Sequence, residues 1–213
     1  MNGVSSRADF TRVKATVVIE FAANMISLSA ASLTPHPWNV GQLVYRVEAE
    51  LFFDESQKLK LVYRINGALN RLKVPVSSQP RHADGLWQHT CFEAFIKESG
   101  SSDYYEFNFS PSGEWAAYAF RSYRDGGRFD DDSMDPAISV NIEDDRLVLN
   151  AAIGLARLPA IRSATRLLIG LSAVIEAIDG SLSYWALKHP LDKPDFHHSD
   201  SFALELALPG ERA

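Results

Sequence analysis

The chain has 213 residues, of which 46% are hydrophobic, enough to fill one sizeable core. Its formal charge of −6 argues against nucleic acid or an anionic membrane as the main partner, because neutralising phosphates needs a basic face. The single cysteine, Cys91, excludes an intrachain disulfide and a thiolate cluster for zinc or iron–sulfur. It fits a cytoplasmic location, with a periplasmic or secreted one as the alternative.

Residues 1–30 read as an N-terminal tail. Arg7, Arg12 and Lys14 precede the apolar run ATVVIEFAANMISLSAAS in the order of a signal peptide, but Glu20 interrupts the run. Met25 offers a second start. No uninterrupted apolar run reaches about eighteen residues, so no spanning helix is expected. Residues 31–213 read as a single β-domain. Two prolines in 33–39 exclude regular structure from the middle of that segment. Strand-like runs follow at 44–53 and 58–65 around the turn DESQ, and Asn66-Gly67 closes the second. Residues 71–76 read as a short extended piece and 77–85 as a loop.

The segment 81–127 carries most of the unusual chemistry. Strands show alternate residues to opposite faces. From 86 to 97, Leu86, Gln88, Thr90, Phe92, Ala94 and Ile96 fall on one face and Trp87, His89, Cys91, Glu93 and Phe95 on the other. The next run sets Tyr105, Phe107 and Phe109 against Tyr104, Glu106 and Asn108. The third sets Ala116, Tyr118 and Phe120 against Trp115, Ala117, Ala119, Arg121 and Tyr123. The connectors SGSSD and SPSG are turn material, so the segment predicts a three-stranded antiparallel meander with one buried and one patterned face.

Residues 123–136, YRDGGRFDDDSMDP, read as a loop. Runs at 138–142 and 146–151 pair across Glu143-Asp144-Asp145, and 155–166 reads as a short helical turn broken by Pro159. Runs at 167–178 and 181–187 form a hairpin on Asp179-Gly180, read as a two-residue primed turn. HPLDKPDFHHSD is irregular and 201–208 closes the domain as a strand. About ten strands at this spacing predict an all-β fold, a two-sheet antiparallel sandwich of jelly-roll or immunoglobulin-like type.

The segments GLWQHTCFEAFI, YYEFNFSPSGEWAAYAF, GLSAVIE with DGSLSYWALKHP, and KPDFHHSDSF resemble the DOMON-like domains. These are related to the family 9 carbohydrate-binding modules and to haem- or sugar-binding DOMON domains. The resemblance runs over residues 33–208 and implies a two-sheet sandwich with a ligand at one face or edge. In the family 9 modules two Trp rings clamp a sugar while charged and amide side chains take its hydroxyls. Trp87 and Trp185 are the residues placed to form such a pair here. The haem-binding relatives use a Met and a His as axial ligands, a pattern from which this sequence departs: Met134 lies in the Asp-rich loop.

From the residues themselves, Trp87, His89, Glu93, Asn108, Arg121 and Trp185 form the candidate binding set for a sugar or another small polar ligand. C–H faces stack on aromatic rings while carboxylate, amide and guanidinium groups orient hydroxyls. The competing reading puts both Trp rings in the core and pairs the carboxylates with Arg. Glu93, Glu106, Asn108 and Glu176 fall on strands expected to be central, where unpaired charge is costly. The alternative function is a metal-dependent or acid–base enzyme using His89 with Glu93, and His197 and His198, with His189 near them in sequence. No HExxH spacing supports a metal, and none is assigned. Asp130, Asp131, Asp132 and Asp135 offer oxygens to calcium without EF-hand spacing, so a solvated acidic loop competes with that cofactor. Haem is the third reading. GLSAV lacks the final Gly of a nucleophile elbow, no Gly-rich phosphate loop occurs, and Cys91 is expected to be buried and inert.

Overall fold

The structure, a computed structural model, describes residues 25–208 except Val40, Gln42, Ser77, Asp130, Asp132, Ser133, Asp135 and Leu191. Two antiparallel sheets make up most of it, as expected of an all-β sandwich. The smaller sheet holds β1 (Met25–Ser32), β3 (Val44–Asp54), β4 (Lys58–Gly67), β9 (Ser139–Glu143) and β10 (Arg146–Gly154), in the order β1-β3-β4-β10-β9. The larger holds β2 (Thr34–Pro35), β5 (Cys91–Glu98), β6 (Tyr104–Phe109), β7 (Trp115–Ser122), β8 (Asp125–Arg128), β11 (Arg166–Glu176), β12 (Leu182–Ala186) and β13 (Leu204–Ala207). Its order is β2-β12-β11-β5-β6-β7-β8, with β13 on the remaining length of β11.

Period-two alternation places the core between the sheets. Val47, Ala49 and Leu51 of β3, Leu59, Leu61, Tyr63 and Ile65 of β4, and Leu147, Leu149, Ala151 and Ile153 of β10 are buried there. Glu48, Glu50, Lys60 and Arg64, between them in sequence, stay partly exposed. The larger sheet answers with Phe92, Ala94 and Ile96, with Tyr105, Phe107 and Phe109, and with alternate residues of β11 from Leu167 to Ile175. Each fully buried large apolar side chain contributes about 1.5–3 kcal/mol. One polar tie crosses the core, where the Tyr63 hydroxyl donates to the Glu93 carbonyl at 2.7 Å.

Among the described residues thirteen strands stand where about ten were expected from spacing. The additions lie in segments read as irregular. β1 begins inside the expected tail, runs two residues past it, and pairs along β3, with Ile26 opposite Phe53 and Ser32 opposite Glu48. Residues 1–24, and with them the leader-like segment, lie outside the described residues. β2 is two residues long on a sheet edge, where the missing N–H of Pro35 disrupts no inner ladder. β8 arises from DGGR, a sequence of low strand propensity. A Cβ on Gly126 would sit 2.0 Å from the Ala119 carbonyl oxygen, so only glycine permits this close pairing with β7.

The β11–β12 hairpin forms, but not on a two-residue turn. Gly180, at φ +83°, donates its N–H to the Ala177 carbonyl at 2.9 Å, and the Ala177 N–H donates to Ser181 at 2.9 Å. This is a three-residue loop with the glycine in the left-handed position. Residues 155–157 form the short helical turn expected before Pro159.

Candidate functional site

β5 and β6 are the central strands of the larger sheet, and they are buried on both faces. Their inner residues face the core. Their outer residues are Glu93 and Phe95 on β5 and Glu106 and Asn108 on β6. Register places Glu93 opposite both Ser172 of β11 and Asn108 of β6, so the three form a row across the sheet. The next row sets Phe95 between Gly170 and Glu106, with Tyr118 of β7 beyond.

A loop from the C-terminal part of the chain closes over one side of this surface. Phe202 packs on Phe95 and Tyr104, with Phe120, Leu168 and Phe196 at the edge of the cluster. Between this cluster and Trp87 lies a hollow of 580 Å³, within the size range of small-ligand sites. Glu93, Glu106 and Phe95 line it from the sheet, Trp87, Tyr118, Phe120, Tyr184 and Phe196 give it aromatic walls, and Gln88, Arg124 and His197 add polar groups.

Hydrogen bonds hold the floor. The Asn108 amide donates to Glu106 Oε1 at 2.7 Å, and the Ser172 hydroxyl donates to Glu93 Oε2 at 3.2 Å. The Cys91 thiol lies 3.7 Å from Asn108 Oδ1 and is buried, as expected. The rim is held by Arg124, a non-glycine residue at φ +56°, a conformation that costs on the order of 1–3 kcal/mol. Its N–H donates to the Tyr104 hydroxyl at 3.1 Å, and its guanidinium meets Asp195 Oδ1 at 2.8 Å. The Tyr123 hydroxyl donates to Asp195 Oδ2 at 2.6 Å. Tyr104 Oη lies 2.8 Å from His197 Nδ1, while His197 Nε2 faces Glu106 Oε2 at 3.5 Å.

Burial sets the charge states. The Glu93 carboxyl is pushed well above its ordinary range by desolvation and by the neighbouring Glu106. Desolvation raises Glu106 to about 7, against the hydrogen bond from Asn108 and the charge of Arg124. His197 is pushed down to about 4, first by burial and then by Arg124. Asp195 runs the other way: despite its burial, the bonds from Tyr123 and Arg124 keep it below its ordinary value. At neutral pH the imidazole is uncharged, and burial favours the protonated forms of the two glutamates.

Of the six residues chosen from sequence, the structure brings three together. Glu93 and Trp87 line the hollow and Asn108 supports its floor. Trp87, however, is not on a strand: 86–88 form a single 3₁₀ turn entered through Gly85 at φ +74°, and the ring is 51% exposed. His89 is a neighbour rather than a member, with Nδ1 2.7 Å from Glu176 Oε2, whose other oxygen takes Lys73 at 2.8 Å. Arg121 follows Ala117 and Ala119 in alternation, on the core side rather than the Glu106–Tyr118 side, and past the bulge between Phe120 and Ser122 it points to solvent and pairs with Asp125 at 3.3 Å. Trp185 is the clearest correction. It lies opposite Ala173 on the inner face and is buried in the core, so no Trp pair forms across the hollow.

The alternative sets also separate. His197 enters the hollow, whereas His198 caps the turn at Asp200 and His189 donates to the Thr34 carbonyl at 2.8 Å. Among the described residues no group of three or more His, Cys, Asp or Glu side chains is placed to hold a metal ion. Three of the four aspartates considered for calcium lie outside the described residues. Met134 is packed in the core, away from the lining of the hollow. The residues missed from sequence are chiefly Arg124, Tyr184 and Phe196; Tyr118 and Phe120 belong to the patterned segment but not to the chosen set, and His197 belongs only to the alternative enzyme set. Nothing periodic marks the loop residues, which are brought over the sheet by tertiary packing.

No family model matches this sequence, and no curated protein matches it. Among solved structures the chain is similar to a crystal structure described as a "putative carbohydrate-binding protein" from Bacteroides uniformis. The two share 14% identity at a TM-score of 0.59, over 84% of this chain and 86% of the other. At that identity the likeness is one of fold.

Proposed function

We propose that the protein is a non-catalytic binding module of DOMON-like character whose hollow takes a carbohydrate or a similarly polar small molecule. The observation that carries this reading is the hollow itself: a half-exposed Trp87 beside a floor of two buried carboxyls supported by the buried amide of Asn108. A sugar needs both parts, an aromatic face for its C–H surface and oriented acceptors for its hydroxyls. The description of the Bacteroides protein, of like fold, as a "putative carbohydrate-binding protein" supports the same reading.

A glycan and metabolite screen by thermal shift tests it. At least one monosaccharide or disaccharide is expected to raise the Tm, and Trp87→Ala is expected to abolish that rise. Because the ring is 51% exposed, the substitution itself is expected to change stability by only about 0.5 kcal/mol. NMR of the ligand after overnight incubation is expected to show it unchanged. A silent screen, or a shift that Trp87→Ala leaves intact, removes the reading.

A further inference from the structure

Glu93 and Glu106 differ from the other buried acids. Asp195 is matched by Arg124 at 2.8 Å, and Glu176 by Lys73 at 2.8 Å. Among the described residues, neither Glu93 nor Glu106 has a Lys or Arg within ion-pair distance, although they are only 2% and 6% exposed. Glu106 meets one ionisable side chain, His197, at 3.5 Å. Two adjacent acids held this way are costly to ionise, and a cation between them offsets that cost.

The surroundings fit a cation as well. The positive charge of Arg124 is already engaged by Asp195 at 2.8 Å. The walls are aromatic, from Trp87, Tyr118, Phe120, Tyr184 and Phe196. The negative faces of such rings attract ammonium groups. The floor therefore has acceptors that Arg124 influences from the rim without pairing with either glutamate.

We infer that the ligand of this hollow carries a protonated amine, its class being an amino sugar, with the ammonium on the Glu93–Glu106 pair and the sugar ring against Trp87. This rests on the carbohydrate reading above. It adds a linkage, because an ammonium seated on the pair favours its ionised form and releases the proton that burial holds there. Among the described residues, the titratable and charged groups around the pair are Cys91, Tyr104, Tyr118, Arg124, Asp195 and His197 on the outer face, and Tyr63 from the core side, which burial pushes well up. Burial pushes Cys91 and Tyr104 up, and burial with Asp84 pushes Tyr118 up to about 12. Asp195 stays ionised and His197 neutral. Through the neutral range the glutamate pair is thus the group that gives up the proton.

The test is calorimetry of the full chain with glucosamine, N-acetylglucosamine and glucose in two buffers of different ionisation heat, at about pH 7, the region to which burial raises Glu106. Glucosamine is expected to bind about tenfold or more tightly than either neutral sugar, and only its heat is expected to depend on the buffer. In Glu106→Gln the preference and the proton release are expected to fall together. If that variant does not fold, the three-sugar comparison on the unaltered protein decides alone. Equal binding of all three sugars, or binding of neutral sugars only, overturns the amine inference and leaves the carbohydrate reading standing. Failure of glucosamine to bind while the glycan screen finds a neutral ligand does the same. Failure of every sugar in both experiments removes both.

Discussion

Glu106→Gln is expected to stabilise the protein at pH 8 by about 3 kcal/mol, and by almost nothing at about pH 4. Below its ordinary value of 4.5 the carboxyl is protonated in both folded and unfolded chains, and it contributes no pH dependence. As pH rises from 4.5 to about 7, the unfolded chain loses the proton first, so ionisation favours unfolding. Above that window the loss is complete and constant. Glutamine retains an oxygen to accept from Asn108 and has no proton to lose. Relief of Glu93, which Glu106 pushes up, acts in the same direction. His197 works against this in the wild type. Its value is depressed from 6.5 to about 4, so stability is lost as pH falls through that interval. The two groups oppose each other between pH 4.5 and 6.5, and the variant uncovers the His197 slope. Urea unfolding at several pH values checks this. A difference between variant and wild type that does not change with pH counts against it.

The second large effect is expected in the core. Phe107→Ala should cost about 3–5 kcal/mol, because the ring is wholly buried at the centre of β6 and its removal leaves a cavity. It lies parallel to Phe109 at 6.3 Å between ring centroids, and neighbours locked on both sheets cannot easily collapse into the space. For a domain of marginal stability that is a large share of the total. Phe120→Ala, on the outer face at the partly exposed edge of the hollow, is expected to cost less and to weaken ligand binding instead. Urea midpoints with an unchanged m-value measure both. Equal losses at the two positions contradict the division between core face and site face.

Much of this division was legible from alternation alone. Phe92, Ala94 and Ile96 do face inward and Glu93 and Phe95 outward, because β5 is regular from Cys91 onward. Alternation separates two faces without naming which one meets the other sheet, and Trp185 was lost on that point. It also fails where the ladder is broken, as at the bulge beside Arg121 and in the 3₁₀ turn that carries Trp87. His197, Phe196 and Arg124 come from a loop and a turn, where no period places a side chain. Their position over Glu106 depends on contacts between residues far apart in sequence, such as Tyr104 with His197 and Arg124 with Asp195.

The tie from Tyr63 to the Glu93 carbonyl gives β5 two duties at one residue: the backbone of Glu93 is anchored to the smaller sheet while its side chain serves the opposite surface. Along β5 and β6 the residues that build the protein and those that furnish its hollow are interleaved one by one. Substitutions on the outer face can therefore accumulate without disturbing the inner one. A single inserted or deleted residue within either strand has the opposite character, since a slip of one position exchanges the two sets throughout the rest of that strand. Variation in this region is thus closed in length, and changes of length have to be absorbed by the connectors and by the loop that carries His197.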